Sequence, residues 1–214
     1  MDKEQIQKAL QDLKQQPKRN FAQSYDLIIN LRGVNIKTNP LDFFVTLPHA
    51  QGKKIKVAVF VDPQAAEPAR KHCDLAIIDA QFSDYADKKK ARKLSQDYDY
   101  FIAQASLMPK VATVFGKVLG TKGKMPNPKL GCVVPSISTL EQLTKKLRHT
   151  VRLQVKKGLN LQCLVGKETQ PDSEVIDNIL AVYDAAVKQL PNERHDVKNV
   201  LLKLSMGKPV KING

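Results

Sequence analysis

Several groups of residues in this 214-residue chain have a type and spacing that could do chemistry. Asp62 and Asp79 each follow an apolar run, which puts both at the carboxyl ends of strands, where α/β proteins bind ligands. Two such carboxylates can hold Mg²⁺. The same residues serve equally well as a helix cap and a strand end, and no nucleophile–base–orienter set accompanies them. An enzyme is therefore not expected. Cys73, Cys132 and Cys163 are isolated, as are His49, His72, His149 and His195. Zinc needs close ligand pairs, so neither a metal nor another cofactor is expected. "GTKG", residues 120–123, matches the GXXG loop with which KH modules clamp a nucleic-acid backbone. So short a pattern recurs by chance, and Met125-Pro126 makes a poor start for a second KH helix.

That tetrapeptide lies inside "VFGKVLGTKGKMPNPKLGCVVP", 22 residues with four glycines, three prolines, four lysines and no acid. Such a stiff cationic segment suits a partner with many fixed negative charges. It can also simply shape the fold. The whole chain points to the same partner class, with Lys plus Arg at 35 against Asp plus Glu at 21, a formal charge of +14. A membrane surface would call for a basic amphipathic helix, but the helical segments here are mixed in sign or acidic. No run approaches the roughly 18 apolar residues of a membrane span. The N-terminus lacks the apolar core of a signal peptide. The expectation is a cytoplasmic protein with a nucleic-acid partner.

The elements that position these residues follow two patterns. Ile6, Ala9, Leu10 and Leu13 make one apolar helix face, ended by Pro17. "SYDLIINL" alternates as a strand, with Tyr25, Leu27, Ile29 and Leu31 on one side and Ser24, Asp26 and Asn30 on the other. "FFVTL" is a second strand. Then "IKVAVFV", "LAII" and "YDYFIA" are compact apolar runs separated by helical stretches, the grammar of a parallel sheet covered on both faces. Asp62-Pro63 reads as a helix start that Pro68 soon interrupts, and Ser138 with Glu141 as a capping box before Leu140, Leu143 and Leu147. From Thr150 alternation returns in "TVRLQVKK" and "LNLQCLV". A helix with Ile176, Ile179, Leu180, Tyr183 and Val187 on one face and the strand "NVLLKL" complete the chain. The expected fold is an α+β base domain, an antiparallel sheet with helices made from both termini (residues 1–50 and 152–214). An α/β Rossmann-like domain with a parallel sheet is inserted at 51–151, with a hinge at the two crossings.

If the terminal strands share one sheet, their outer face carries Ser24, Asp26, Arg152, Lys156, Lys203 and Ser205, with Lys18, Arg19 and Phe21 at its edge. That surface suits phosphate and 2′-hydroxyl contacts. An ordinary solvated sheet face fits the pattern as well. "SMGKP" leaves a similar choice. Met206 either packs or presses on a sugar while Gly207 lets the backbone approach.

"KRNFAQSYDLIINLRGV", "LPHAQGKKIKV", "FGKVLGTKGKMPNPKLGCV" and "SMGKPVKI", in this order over nearly the whole chain, resemble the L-one family of large-subunit ribosomal proteins in its archaeal form. The resemblance implies a protein of the mobile ribosomal stalk, monomeric when free of the ribosome. It would bind large-subunit rRNA near the tRNA exit site and assist release of deacylated tRNA. It also implies a translational repressor binding its own mRNA. Carried over by motif, the RNA contacts fall on Phe21, Ser24, Asp26, Ser205, Met206 and Gly207. Lys156, Lys157 and Asn199 carry over less directly, and Lys122 and Lys124 enter only through the basic stretch. This chain departs from the family pattern at three of these places. Ser205 replaces a common Thr, Asp26 replaces a common Glu, and Asn20 stands where a Lys usually precedes Phe21, so that Arg19 would substitute.

Overall fold

The structure is a computed structural model that describes residues 1–17, 19–35, 40–85, 87–136, 139–155 and 158–213. The chain divides into two compact units, one built from Met1–Lys53 with His149–Gly214 and the other from Lys54–Arg148.

In the first unit, period-two alternation becomes a sheet with one dry face. β1 (Ser24–Leu31) alternates half-exposed and buried residues along its length. It runs antiparallel to β8 (Asn160–Lys167) on one side and to β9 (Val197–Leu204) on the other. β10 (Val210–Asn213) completes the order β10-β9-β1-β8. Tyr25, Leu27, Ile29, Leu161, Val165, Val200, Leu202 and Leu204 point inward. They meet α1 (Lys3–Lys14) and α6 (Asp172–Gln189).

α1 buries Ile6, Ala9, Leu10 and Leu13, the face the periodicity predicts. α6 is rotated slightly from expectation. Its fully buried stripe is Val175, Asn178, Ile179, Val182, Tyr183 and Ala186, while Ile176, Leu180 and Val187 pack at its margin. Asn178 belongs in that stripe because its amide is satisfied, donating to the Val165 carbonyl at 2.8 Å and accepting the His49 N–H at 3.0 Å.

β7 (Thr150–Gln154) does not join this sheet. It pairs with β2 (Asp42–Thr46) in a two-stranded ribbon, from Thr46↔Thr150 to Asp42↔Gln154. Arg152 is thereby separated from the outer face of β1 and β9, contrary to the single-sheet expectation. Its guanidinium instead donates to both Asp42 oxygens, at 2.7 and 2.6 Å, and lies over the Phe44 ring.

The second unit is a parallel sheet, β4-β3-β5-β6. These strands are β3 (Val57–Val61), β4 (Leu75–Ile78), β5 (Tyr100–Gln104) and β6 (Val133–Val134). Every β3 residue is buried, because helices cover both faces. Val57, Val59 and Val61 face the side of α2 (Ala66–His72) and α5 (Leu140–Arg148). Ala58 and Phe60 face α3 (Lys88–Asp97) and α4 (Met108–Thr121). Phe60 meets Phe115 there, with ring centroids 4.8 Å apart. Pro68 does not stop α2. A 3₁₀ turn over Pro63–Ala65 leads in, so Pro68 falls in the first helical turn, where its missing N–H is not needed. Ser138 of the expected capping box lies outside the described residues, and Glu141 pairs with Lys145 at 2.6 Å.

The glycine-rich basic stretch is mostly fold. Residues 114–121 continue α4. The Lys124 N–H bonds the Leu119 carbonyl, and the Gly123 N–H, at φ +64°, bonds that of Gly120, both at 2.9 Å. That is a Schellman cap, so "GTKG" is the end of a helix and not a KH-type loop. Lys124 reaches on to α3, donating to the Ser95 and Tyr98 carbonyls at 2.9 and 2.7 Å.

Candidate nucleic-acid interface

Two chain ends far apart in sequence meet at one end of the four-stranded sheet. Tyr25 stands opposite Leu204 and Asp26 opposite Lys203. One residue beyond, the Ser205 N–H bonds the Ser24 carbonyl at 3.1 Å, and the Ser205 hydroxyl accepts the Ser24 N–H at 3.2 Å. The Ser205 hydroxyl is thus committed to closing the strand pair, while the Ser24 hydroxyl takes no part in the exchange.

Past Ser205 the chain turns sharply, with the Gly207 N–H on the Leu204 carbonyl at 2.9 Å. Met206 is carried on the tip, 65% exposed, and Phe21, on the approach to β1, is 55% exposed. Exposed large apolar side chains are uncommon among the described residues, and these two flank one strand end. Such side chains offer a sugar or base a surface to rest on.

Two glutamines that pattern reading passed over hold the turn. Gln23 is buried, and its Oε1 accepts the Met206 N–H at 3.1 Å. Gln16 bonds Lys208 twice, Oε1 taking its N–H at 2.9 Å and Nε2 donating to its carbonyl at 3.0 Å. A Cβ on Gly207 would fall 2.5 Å from Gln16 Oε1, so any side chain here would push Gln16 off the Lys208 backbone. Gln16, Pro17, Arg19, Gln23, Met206, Gly207 and Lys208 surround a pocket of about 350 Å³. Arg19 thus supplies a cation beside the turn. Lys18 lies outside the described residues.

Asp26 sits lower on the same outer face, in a hollow of about 300 Å³ shared with Ile28, Gln162, Leu164 and Lys203. Desolvation raises its carboxyl above the ordinary value, and the Lys203 ammonium pulls the other way. The pair is not in direct ion contact, which leaves each free to meet an incoming group. The strand is irregular here, since β1 slips register against β8 between Tyr25 and Asp26. A bulge of this kind re-aims side chains, and Gly166 in β8 is the residue that signals it. A Cβ on Gly166 would meet Val175 at 2.9 Å.

Of the other candidates, Lys203 belongs to this surface. Asn199 lies further along it and accepts the Asn30 amide at 2.6 Å. Arg152 and Lys124 are engaged as described above. Lys122 is exposed in the second unit, and Lys156 and Lys157 lie outside the described residues. Asp62 and Asp79 stand, as expected, just past the paired Val61 and Ile78 at the carboxyl ends of neighbouring parallel strands. Asp79 accepts Lys110 at 3.1 Å, and Asp62 begins the 3₁₀ turn. Among the described residues no group of three or more His, Cys, Asp or Glu could hold a metal ion. Among the described residues no helix is long and apolar enough to cross a membrane.

Comparison with known proteins places the chain in a family. The family model described as "Ribosomal protein L1p/L10e family" matches residues 13–208. A large ribosomal subunit protein uL1 of Pyrococcus abyssi is 38% identical over 217 residues, covering 100% of this chain and 97% of its own. That of Nanoarchaeum equitans is 35% identical over 199 residues, 91% of this chain and 93% of its own. That of Thermofilum pendens is 38% identical over 201 residues, 92% of this chain and 86% of its own. With a match from Leu13 to Lys208 and relatives aligned over nearly all of its length, the chain belongs to the ribosomal protein L1p/L10e family.

Proposed function

We propose that this protein is a structural, non-catalytic component of the large ribosomal subunit that binds rRNA of the mobile stalk beside the tRNA exit site. It acts in the cytoplasm, on the ribosome, where it assists departure of deacylated tRNA. The same surface serves a second role as a translational repressor on a site in its own mRNA. The unit built from both termini is the RNA-binding base.

One observation carries this reading: the Met206–Gly207 turn is held out by buried Gln23 and by Gln16, next to exposed Phe21 and Arg19. A turn kept rigid while its apolar tip stays bare is prepared for a partner, since the ordering entropy is met before binding. Phosphates meet Arg19, Lys203 and Lys208, a 2′-hydroxyl donates to Asp26, and a sugar rests on Met206 and Phe21. Ser205 acts by fixing the turn. Hydroxyl-radical footprinting of a stalk rRNA fragment tests the reading. Met206→Ala is expected to lose protection over the bound segment, and an unchanged footprint would overturn it.

A further inference from the structure

The inserted unit carries a second cationic surface, built against the local rules of its own helix. α3 opens with Lys88, Lys89 and Lys90, then adds Arg92 and Lys93, and its first turn holds no acid. Its last turn holds no base and ends on Asp97. The helix's own charges therefore oppose its dipole, which favours anions at the N-terminus and cations at the C-terminus, and only Lys124 of the neighbouring cap brings a cation to its C-terminal carbonyls. Lys88 with Arg92, Lys89 with Lys93 and Lys89 with Arg92 are like-charge pairs at helical spacing, each unfavourable. Asp87 offsets part of this as the N-cap, its Oδ1 accepting the Lys89 N–H at 2.9 Å.

All five cations are exposed, and none forms an ion pair among the described residues. Buried Ala91, Leu94 and Ser95 hold the helix down and aim Lys89 and Lys93 outward. On one flank, Lys90 and Lys93 share a hollow with Asp84 and Asp97, which partly neutralise them. The other flank is different. There Lys88 faces Lys117 of α4 across a groove of about 290 Å³, lined also by Tyr85, Ala91, Thr113 and Val114. No acidic residue lines that groove, and its floor is apolar.

We propose that this groove and the adjoining face of α3 form a second RNA-backbone contact, separate from the base-unit surface. Lys88, Lys89, Arg92 and Lys117 hold successive phosphates, and a sugar lies over Val114 beside the Tyr85 ring. Cations flanking an apolar floor fit a polymer that alternates phosphate and sugar. The repulsion within α3 is relieved when that polymer binds. The choice of RNA rests on the ribosomal reading above; the existence of a polyanion site does not.

The test measures binding of the full chain to a blunt RNA duplex of unrelated sequence over a salt series. The variants are Lys88→Glu/Lys89→Glu/Arg92→Glu and Lys117→Glu, with Lys71→Glu on α2 as the charge-matched control for Lys117→Glu and Lys53→Glu/Lys54→Glu/Lys71→Glu as that for the triple variant. For the triple variant, duplex affinity should fall at least tenfold and the salt slope by about 0.9 per lost phosphate contact. Lys117→Glu should lose more than Lys71→Glu. Because glutamates in the first turn suit the dipole, the melting temperature of the triple variant should hold or rise. Equal binding by all variants, or a loss that tracks a lower melting temperature, would overturn the proposal. Polyglutamate binding as tightly as the duplex, and lost with the same substitutions, would assign the groove to an acidic protein instead. Met206→Ala on the stalk fragment is read in parallel, so failure of the base-unit reading shows there and not here.

Discussion

The Ser205 hydroxyl accepts the Ser24 N–H at 3.2 Å while the Ser205 N–H donates to the Ser24 carbonyl at 3.1 Å, joining residues 181 positions apart. The last ladder bond of β1 and β9 is therefore made by a side chain, at the point where β9 must leave the sheet to turn. Ser205→Ala removes that acceptor and leaves a half-buried N–H unpaired, at a cost of about 1 kcal/mol. Ser205→Thr retains the oxygen and should sit near the parent protein. Urea midpoints for both variants check this. RNA affinity should follow the same order, because Met206 is the next residue and the alanine removes one of the bonds that fix its turn.

The fold was readable where a single period decided it. α1 and β1 bury Ile6, Ala9, Leu10, Leu13, Tyr25, Leu27, Ile29 and Leu31, as alternation and helical spacing require. The continuous runs of β3 and β5 announced a sheet covered twice. Partnership was harder to read. Nothing in "TVRLQVKK" says that β7 pairs with β2, because strand pairing is set by where the chain returns and not by its own period. At the candidate site, Ser24, Asp26 and Ser205 were visible as outward positions. Gln16 and Gln23 were not, since a glutamine in the connection between α1 and β1 looks like any solvated polar residue. Its worth lies in backbone groups nearly two hundred residues away. Gly207, whose Cβ would meet Gln16 Oε1, was the signal that could have led to Gln16.

Gly207→Ala puts a methyl where Gln16 Oε1 now stands, 2.5 Å from the new Cβ, and 3.1 Å from Leu204 Cβ. Gln16 must withdraw and forfeit its two bonds to Lys208, a loss of about 1–2 kcal/mol. If Gln16 is the obstacle, the substitution costs less in a Gln16→Ala background. A double-mutant cycle on denaturation midpoints measures that coupling. Additive effects would show that Leu204 and the turn geometry carry the penalty.

Lys124 tests whether a cation in the basic stretch is structural. Its ammonium bridges the Ser95 and Tyr98 carbonyls near the C-terminal end of α3. Cations belong at that end of a helix, and two charged hydrogen bonds tie α3 to the cap of α4. Lys124→Met should therefore lower stability by about 1.5 kcal/mol. Affinity for a stalk rRNA fragment should change little. Loss of binding without loss of stability would return Lys124 to the list of RNA contacts.

Asp26 sets stability against binding. Desolvation on the sheet face raises its carboxyl above the ordinary 3.8, with Lys203 opposing. The fold thus disfavours the ionised form. The stability linked to Asp26 is fully present below its unfolded value and is lost as pH rises through the folded one. Asp26→Asn should be more stable than the parent at neutral pH, by an amount that shrinks as pH falls and vanishes below the unfolded value. Urea unfolding at neutral and acid pH follows the difference. RNA binding should move oppositely at neutral pH, since an amide accepts a 2′-hydroxyl more weakly than a carboxylate and holds no neighbouring cation in place. The expected loss is about 1–3 kcal/mol. A variant stabilised at neutral pH that still binds the stalk fragment at full affinity would show that Asp26 serves some other end than RNA.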